Sequence, residues 1–483
     1  MSPFRSLLFI LCVLTFLFLI AWAVPAGGIH IGKLELNFPT LQNILNPENV
    51  EYADITKIIS DTTQEKTDST LAELKEIPDS LFAQTISDIL HPLQCVDSPG
   101  TALWPFYEQL LNNKGLIRVI HYGDSQIEGD RITGYLRQRF QERFGGGGVG
   151  YIPAVKVENV SLAVEIENTG DWKRYTIYGK RDTSIQHKKY GFAGSFARFS
   201  PLAIDSAHTK DPYEASLMIS PNSSSYKNCF AFDKFKLLLN TSTKPVIAEL
   251  STNDSPADFK ILSANEGYQV AEWDIPQNCK QIKLDLTSEL SPDILGMFLD
   301  KSTGIAFDNI PMRGSSGTDF TRMDFSLLSN IYKDQNVGLL IYEFGVNVVP
   351  GEKDDYSFYE NWVYSQLVFL KKLTPNVCIL VIGVSDMSKK SGENYVSWPN
   401  IVKIRDAQKK AAFRAGCAFW DMYEAMGGEN SMPSWVNADP PLAGPDYTHF
   451  NPNGARIIAR LLYKAMMYDY ETYARKHPPV QTP

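Results

Sequence analysis

Two side chains, Ser125 and His449, have the types and surroundings of reacting groups. Ser125 closes the run Val119-Ile120-His121-Tyr122-Gly123-Asp124-Ser125, where an apolar stretch meets a Gly-Asp-Ser turn and a helical pattern follows. A hydroxyl at the C-terminal end of a parallel strand lies where open α/β sheets place their ligands. The glycine permits a tight turn that exposes it, and the following helix aims N–H groups towards it. His449 closes Asp446-Tyr447-Thr448-His449, on a Pro-rich loop ahead of the terminal helical pattern. An Asp three residues before a His can fold back within one turn, its carboxylate on one ring nitrogen while the other faces the serine. Asn451 is a good N-cap for the helix beyond, which leaves Asp446 free for that work.

Nucleophilic serine chemistry also needs donors for an oxyanion. Two loops offer them: Arg313-Gly314-Ser315-Ser316-Gly317-Thr318, where small residues let a backbone N–H approach a ligand, and Gly345-Val346-Asn347, whose side-chain amide can donate. His121 is a rival base close to Ser125 in sequence. It falls inside a strand, which makes a buried, hydrogen-bonded core histidine the expected outcome.

The elements that must position these groups read as α/β. Apolar runs at 116–122, 304–309, 337–344, 377–384 and 417–422 are expected strands, and helical patterns follow near Gly129, Thr318, Asp354, Ile401 and Asn451. Strands alternating with helices imply a parallel sheet covered on both faces. Ser125, Gly317 and Asn347 then all fall at C-terminal strand ends, on one edge of that sheet.

The rhythm breaks between the first helix and the second strand. Gly145-Gly146-Gly147-Gly148 opens the gap; with no Lys-Ser/Thr after it and no strand before it, it reads as a flexible exit hinge rather than a phosphate loop. Short alternating segments follow at 162–167, 175–178, 230–239, 246–250, 259–263, 268–273 and 282–286, the pattern of an inserted antiparallel β-sandwich. Its aromatics Trp172, Tyr175, Tyr178, Tyr190, Phe192 and Trp273 could stack on sugar rings, although core packing is the usual fate of each.

Over 483 residues the hydrophobic fraction is 44%, enough for a sizeable core, and the net charge of −9 argues against a nucleic-acid partner. Arg5 precedes an apolar run, 7–24, that reads as a cleaved export signal or an uncleaved membrane anchor; both export the rest. Ala21-Trp22-Ala23 and Val24-Pro25-Ala26 are candidate cleavage sites. Residues 27–95 look like a polar spacer arm with short amphipathic pieces such as 71–77. Of six cysteines, Cys12 lies in the export segment, Cys229 and Cys279 could pair, and Cys378 and Cys417 sit in apolar runs as buried thiols. The seven scattered histidines form no metal-binding pattern, so neither metal nor cofactor is expected.

Taken together, Gly123-Asp124-Ser125, Gly317, Gly345-Val346-Asn347 and Asp446-Tyr447-Thr448-His449 resemble the blocks of the SGNH (GDSL) hydrolase superfamily, over about 100–150 and 300–475. The resemblance implies a three-layer α/β/α, flavodoxin-like domain with a five-stranded parallel sheet. It implies Ser125, Asp446 and His449 as the catalytic triad, and an oxyanion hole from the Ser125 and Gly317 N–H groups and the Asn347 amide. Gln126 stands where many members carry an aliphatic residue, and Val348 where an aspartate is usual. An exported chain with a β-rich insert and the stretch 307–317 is similar to bacterial peptidoglycan O-acetylesterases, whose insert resembles a carbohydrate-binding module.

The chain is thus expected to divide into a signal or anchor (1–26), a spacer (27–95), a hydrolase domain (96–150 and 300–483) and a β insert (151–299). The expected function is an exported, periplasmic or envelope-associated serine esterase. It would remove O-acetyl groups from a polysaccharide, most naturally peptidoglycan, with membrane association open through the N-terminal segment. An O-acyltransferase using the same triad and a catalytically silent carbohydrate-binding protein are the alternatives. The polymer, the oligomeric state and the role of the insert stay open.

Overall fold

The computed structural model describes residues 3–23, 29–31, 34–36, 50–63, 91–96, 101–112, 115–155, 163–203 and 211–477. Five strands, β1 (Leu116–Gly123), β2 (Gly304–Pro311), β3 (Val337–Glu343), β4 (Cys378–Ile382) and β5 (Ala418–Trp420), pair in parallel in the order β2-β1-β3-β4-β5. All five expected strands are present. Their sequences are apolar almost throughout because helices cover both faces. Val119 and Ile341 point to one face, with α1 (Thr133–Phe144) and α5 (Pro452–Lys476). Ile120 and Leu340, one residue away, point to the other, with α2 (Phe325–Asp334), α3 (Ser357–Lys371) and α4 (Ile401–Arg414). The strand order reverses between β1 and β3, and the crevice beyond their carboxyl ends is the ligand position of such sheets. The helices after β1 and β2 begin later than their sequence pattern suggests, because short 3₁₀ turns, Ser125–Asp130 and Phe320–Arg322, come first.

Between α1 and β2 two antiparallel sheets form a sandwich. One runs Ser255–Leu262, Val246–Thr252, Ile282–Ser288, Tyr213–Pro221, Val164–Thr169; the other runs Gln269–Asp274, Lys234–Asn240, Asp293–Asp300, Ser195–Arg198, Lys173–Thr176, with Gly150–Ile152 added against Asp293–Asp300. Leu217, Leu250 and Leu284 of the first meet Leu237, Leu239 and Met297 of the second in a shared core. Asp293–Asp300 shows no alternation in sequence because it is buried at every position, wedged between the sandwich and the α/β body. Phe298 and Leu295 from this strand and Phe192 from a neighbouring loop join Ile120 and Tyr122 of β1 in one core. Arg118 of β1, fully buried, pairs with Asp308 of β2 at 2.7 Å and with Asp300 of the sandwich, and lies 3.7 Å over the Phe298 ring.

Several expectations are corrected. The tetraglycine is not a flexible hinge. A Cβ at Gly146 would meet the Ile305 carbonyl oxygen at 2.4 Å, at Gly147 that of Ala231 at 2.0 Å, and at Gly148 that of Leu299 at 2.1 Å. The glycines are there because three backbones cross at this point. The spacer is partly docked: Ile55 and Leu93 are buried, Gln94 bridges to Phe419 on the edge strand β5, and the Trp420 indole donates to the His91 carbonyl at 2.9 Å. An exposed sheet edge favours such cover. The amphipathic piece 71–77 lies outside the described residues. Cys229 and Cys279 are unpaired: Cys229 packs beside Arg137, and Cys279 donates to the Gln281 carbonyl. The insert's aromatics follow the core-packing expectation instead: Tyr175, Tyr178, Tyr190, Phe192 and Trp273 are core residues, and Trp172 is partly buried against Phe199. The apolar segment near the N-terminus forms the helix Pro3–Ala23, long and apolar enough to cross a membrane at mean hydropathy 2.7, with almost every side chain exposed.

Candidate active site

At the end of β1 the chain turns at Gly123, where a Cβ would press on the Glu343 carbonyl oxygen at 2.9 Å. Asp124 caps the turn that follows, one carboxylate oxygen taking the Gln126 N–H (3.0 Å) and the other the Gly345 N–H (3.1 Å). It thereby ties the loop after β1 to the loop after β3. Burial pushes its carboxyl up to about 7, with Glu343 adding to the effect, against the downward pull of those backbone donors.

Ser125 Oγ lies 2.8 Å from His449 Nε2, and His449 Nδ1 lies 2.7 Å from Asp446 Oδ2. The other Asp446 oxygen accepts the backbone N–H groups of Thr448 and His449, each at 3.1 Å. Burial would raise the Asp446 carboxyl, but the His449 ring and these two backbone donors outweigh it and hold it below its ordinary value. Asn451 caps α5 by itself, taking the Asn453 and Gly454 N–H groups, as its sequence position suggests. His121 is a core histidine: fully buried, with Nε2 on Glu343 (2.9 Å) and Nδ1 on the Thr133 hydroxyl (2.9 Å).

The two expected oxyanion donors meet at Ser315. The Asn347 amide donates to the Ser315 carbonyl (3.0 Å), and the Gly317 N–H donates to Ser315 Oγ (3.0 Å). Gly317 has φ +79° and so close an approach to Tyr342, whose hydroxyl donates to the Gly317 carbonyl at 2.7 Å, that a Cβ there would lie 2.2 Å from that hydroxyl. All four sequence blocks are therefore laced together: first to third through Asp124, third to second through Asn347, first to fourth through Ser125.

Two positioning residues escaped the sequence reading. Gln126 donates to the Thr448 carbonyl (3.0 Å) and accepts the Phe450 N–H (3.2 Å), bracketing His449 on both sides. Arg131 donates to the carbonyls of Ser125, Glu128 (both 2.6 Å) and Phe450 (2.9 Å), joining the same two loops. The departure from an aliphatic residue at Gln126 was a visible signal; Arg131 gave none. Tyr447, at φ +52°, stacks on Tyr395 with ring centroids 3.6 Å apart, and its carbonyl accepts the Ser388 N–H at 3.0 Å. The hairpin Ser388–Ser391 and Asn394–Ser397, absent from the strand pattern, thus braces the His449 loop from outside. Among the described residues no cluster of His, Cys, Asp and Glu could hold a metal.

A five-stranded parallel sheet with a Ser–His–Asp hydrogen-bonded chain at its switch point defines an α/β/α protein with a serine-centred site. No protein-family model matches the sequence, and no curated protein matches it. Among solved structures, a peptidoglycan O-acetylesterase is similar over 77% of this chain and 96% of its own, with a TM-score of 0.58 and 19% identity. An acetyl xylan esterase is similar over 33% of this chain and 81% of its own (TM-score 0.26, 17% identity). A family two carbohydrate esterase from Cellvibrio japonicus is similar over 64% and 99% (TM-score 0.25, 6% identity). The first likeness shows a shared fold; the other two are too distant to carry an argument.

Proposed function

We propose that this chain is a serine esterase that removes O-acetyl groups from a polysaccharide, with peptidoglycan as the leading polymer. The Ser125–His449–Asp446 chain of hydrogen bonds carries the reading. His449 takes the Ser125 proton as Oγ attacks the ester carbonyl, and Asp446 orients the ring and stabilises the imidazolium. The oxyanion is held by the Ser125 N–H, the second N–H of the Asn347 amide, and the Gly317 N–H once it exchanges Ser315 Oγ for the new charge. His449 then protonates the leaving sugar hydroxyl. Water, deprotonated by His449, attacks the acetyl-enzyme and releases acetate and Ser125. The shared fold with a peptidoglycan O-acetylesterase supports the choice of polymer, and the apolar helix Pro3–Ala23 supports export or membrane attachment at the cell envelope. That helix also favours the transferase alternative, since an anchor would hold the site beside a membrane donor.

The test is acetate release from O-acetylated peptidoglycan and from acetylated xylan by wild type and Ser125→Ala, with a glycan acceptor in parallel. Release that depends on Ser125 is expected. Equal release by both proteins would sink the mechanism, and acetyl transferred to the acceptor would favour the transferase. Asn347→Ala should lower kcat by about 10²-fold, and an unchanged kcat would remove the amide from the oxyanion site.

A further inference from the structure

A cleft of about 780 Å³, counting the open solvent at its mouth, separates the α/β body from the sandwich. Its floor begins at Glu128, three residues beyond Ser125 on the same 3₁₀ turn, and continues along the end of β2; Arg174 and Tyr178 of the sandwich form the opposite wall. Three arginines line it. Arg137 is held by both oxygens of Asp130 (2.6 and 2.9 Å), and Arg313 by Glu128 (2.7 Å).

Arg174 is different. One of its terminal nitrogens donates to the Tyr178 hydroxyl (2.8 Å) and to Ser195 Oγ (3.2 Å), while its Nε is buried with no partner. Among the described residues no carboxylate pairs with it, although the two other arginines of the cleft each have one. A guanidinium kept half-buried without a counter-ion costs free energy unless something supplies the charge. Its planar fork of donors suits a carboxylate. Glu128, on the Ser125 turn, and Arg313, on the loop that carries Gly317, both line the cleft, so a polymer reacting at Ser125 would lay a neighbouring unit in it.

We propose that this cleft binds a carboxylate-bearing sugar, with Arg174 as its counter-ion, and that it selects acidic over neutral polysaccharides. The carboxylate is either an ether-linked lactyl acid, as on a peptidoglycan strand freed of its stem peptides, or a uronate. The inference rests on the esterase reading for the reaction but not for the binding. The binding is therefore tested separately, by calorimetry on the full chain carrying Ser125→Ala. The ligands are O-de-acetylated peptidoglycan strands stripped of their stem peptides, oligogalacturonate, carboxyl-reduced oligogalacturonate and a uronate-free xylo-oligosaccharide.

At least one acidic ligand should bind, and which one does identifies the source of the carboxylate. Arg174→Gln should weaken it about tenfold or more, Arg174→Lys less, and the neutral xylo-oligosaccharide should lose less than the acid does. Reduction of the carboxyl should weaken binding to the unaltered cleft as well, a comparison that needs no Arg174 variant to fold. Equal binding of the acid and its reduced form, equal loss on acidic and neutral ligands, or no binding of either acid would overturn the proposal. If binding behaves as expected while wild type releases no acetate, the esterase reading alone fails.

Discussion

Ser125, His449 and Asp446 meet because a handful of polar side chains around them spend their hydrogen bonds on the loops rather than on a ligand. Arg131 and Gln126 are the clearest. Arg131→Gln should leave the triad atoms present but loosely held, lowering kcat about tenfold with little change in KM, as expected when reacting groups drift from their aligned geometry. A KM effect without a kcat effect would assign Arg131 to substrate instead. Gln126→Leu restores the aliphatic residue common in the resembling superfamily, yet here it leaves the Thr448 carbonyl and Phe450 N–H without partners. A loss of about 1–3 kcal/mol in denaturant-measured stability should follow, together with a lower kcat.

Asp124 offers a pH test at the same scale. Its folded-state carboxyl is raised from 3.8 to about 7, so over that window the folded chain keeps a proton that the unfolded chain releases. Its contribution to stability is complete below the unfolded value and is lost as pH rises through about 7. Between pH 5 and pH 8, wild type should lose up to about 3 kcal/mol more than Asp124→Asn in chemical denaturation. Parallel curves for the two proteins would contradict the assignment.

Glycines at crossings, rather than strand sequences alone, decide how the elements fit. The run 145–148 threads between β2 and two sandwich segments, and Gly147 has the closest approach. Gly147→Ala should cost about 2–3 kcal/mol by overpacking, whereas a true hinge would tolerate it or gain stability. Thermal unfolding of that variant separates the two. The elements that the sequence hid share a physical cause. Asp293–Asp300 has no alternating pattern because both of its faces are covered, and the 388–397 hairpin is too short and polar for a period to register. β1 to β5 were legible because each combines an apolar run with a following helical pattern, which is the signature of a two-sided core.

Across the whole molecule, the α/β body and the sandwich share one core, and Arg118 is the electrostatic link across it. Removing that cation strands Asp300 and Asp308 in the interior. Arg118→Met should therefore destabilise by about 3–5 kcal/mol. Wild type should unfold in a single calorimetric transition. Two separate transitions would show that the body and insert are independent units joined in series.

The sequence by itself determined which side chains gather at the site and the edge of the sheet on which they lie. Ser125, Gly317, Asn347 and the Asp446–His449 pair each follow a recognisable local pattern, and local patterns are governed by turn and cap preferences that need no partner. It also determined that His121 would be a core residue, since a strand interior buries whatever it carries. Only the tertiary structure decided that the tetraglycine is a crossing, that part of the polar arm covers the edge of β5, and that the insert's aromatics pack inward. It likewise decided that Gln126 and Arg131 hold the two halves of the site together, and that Arg174 lines a cleft with no carboxylate of its own to pair with among the described residues. All of these depend on contacts between residues far apart in the chain, whose partners cannot be read from spacing because no local periodicity records them.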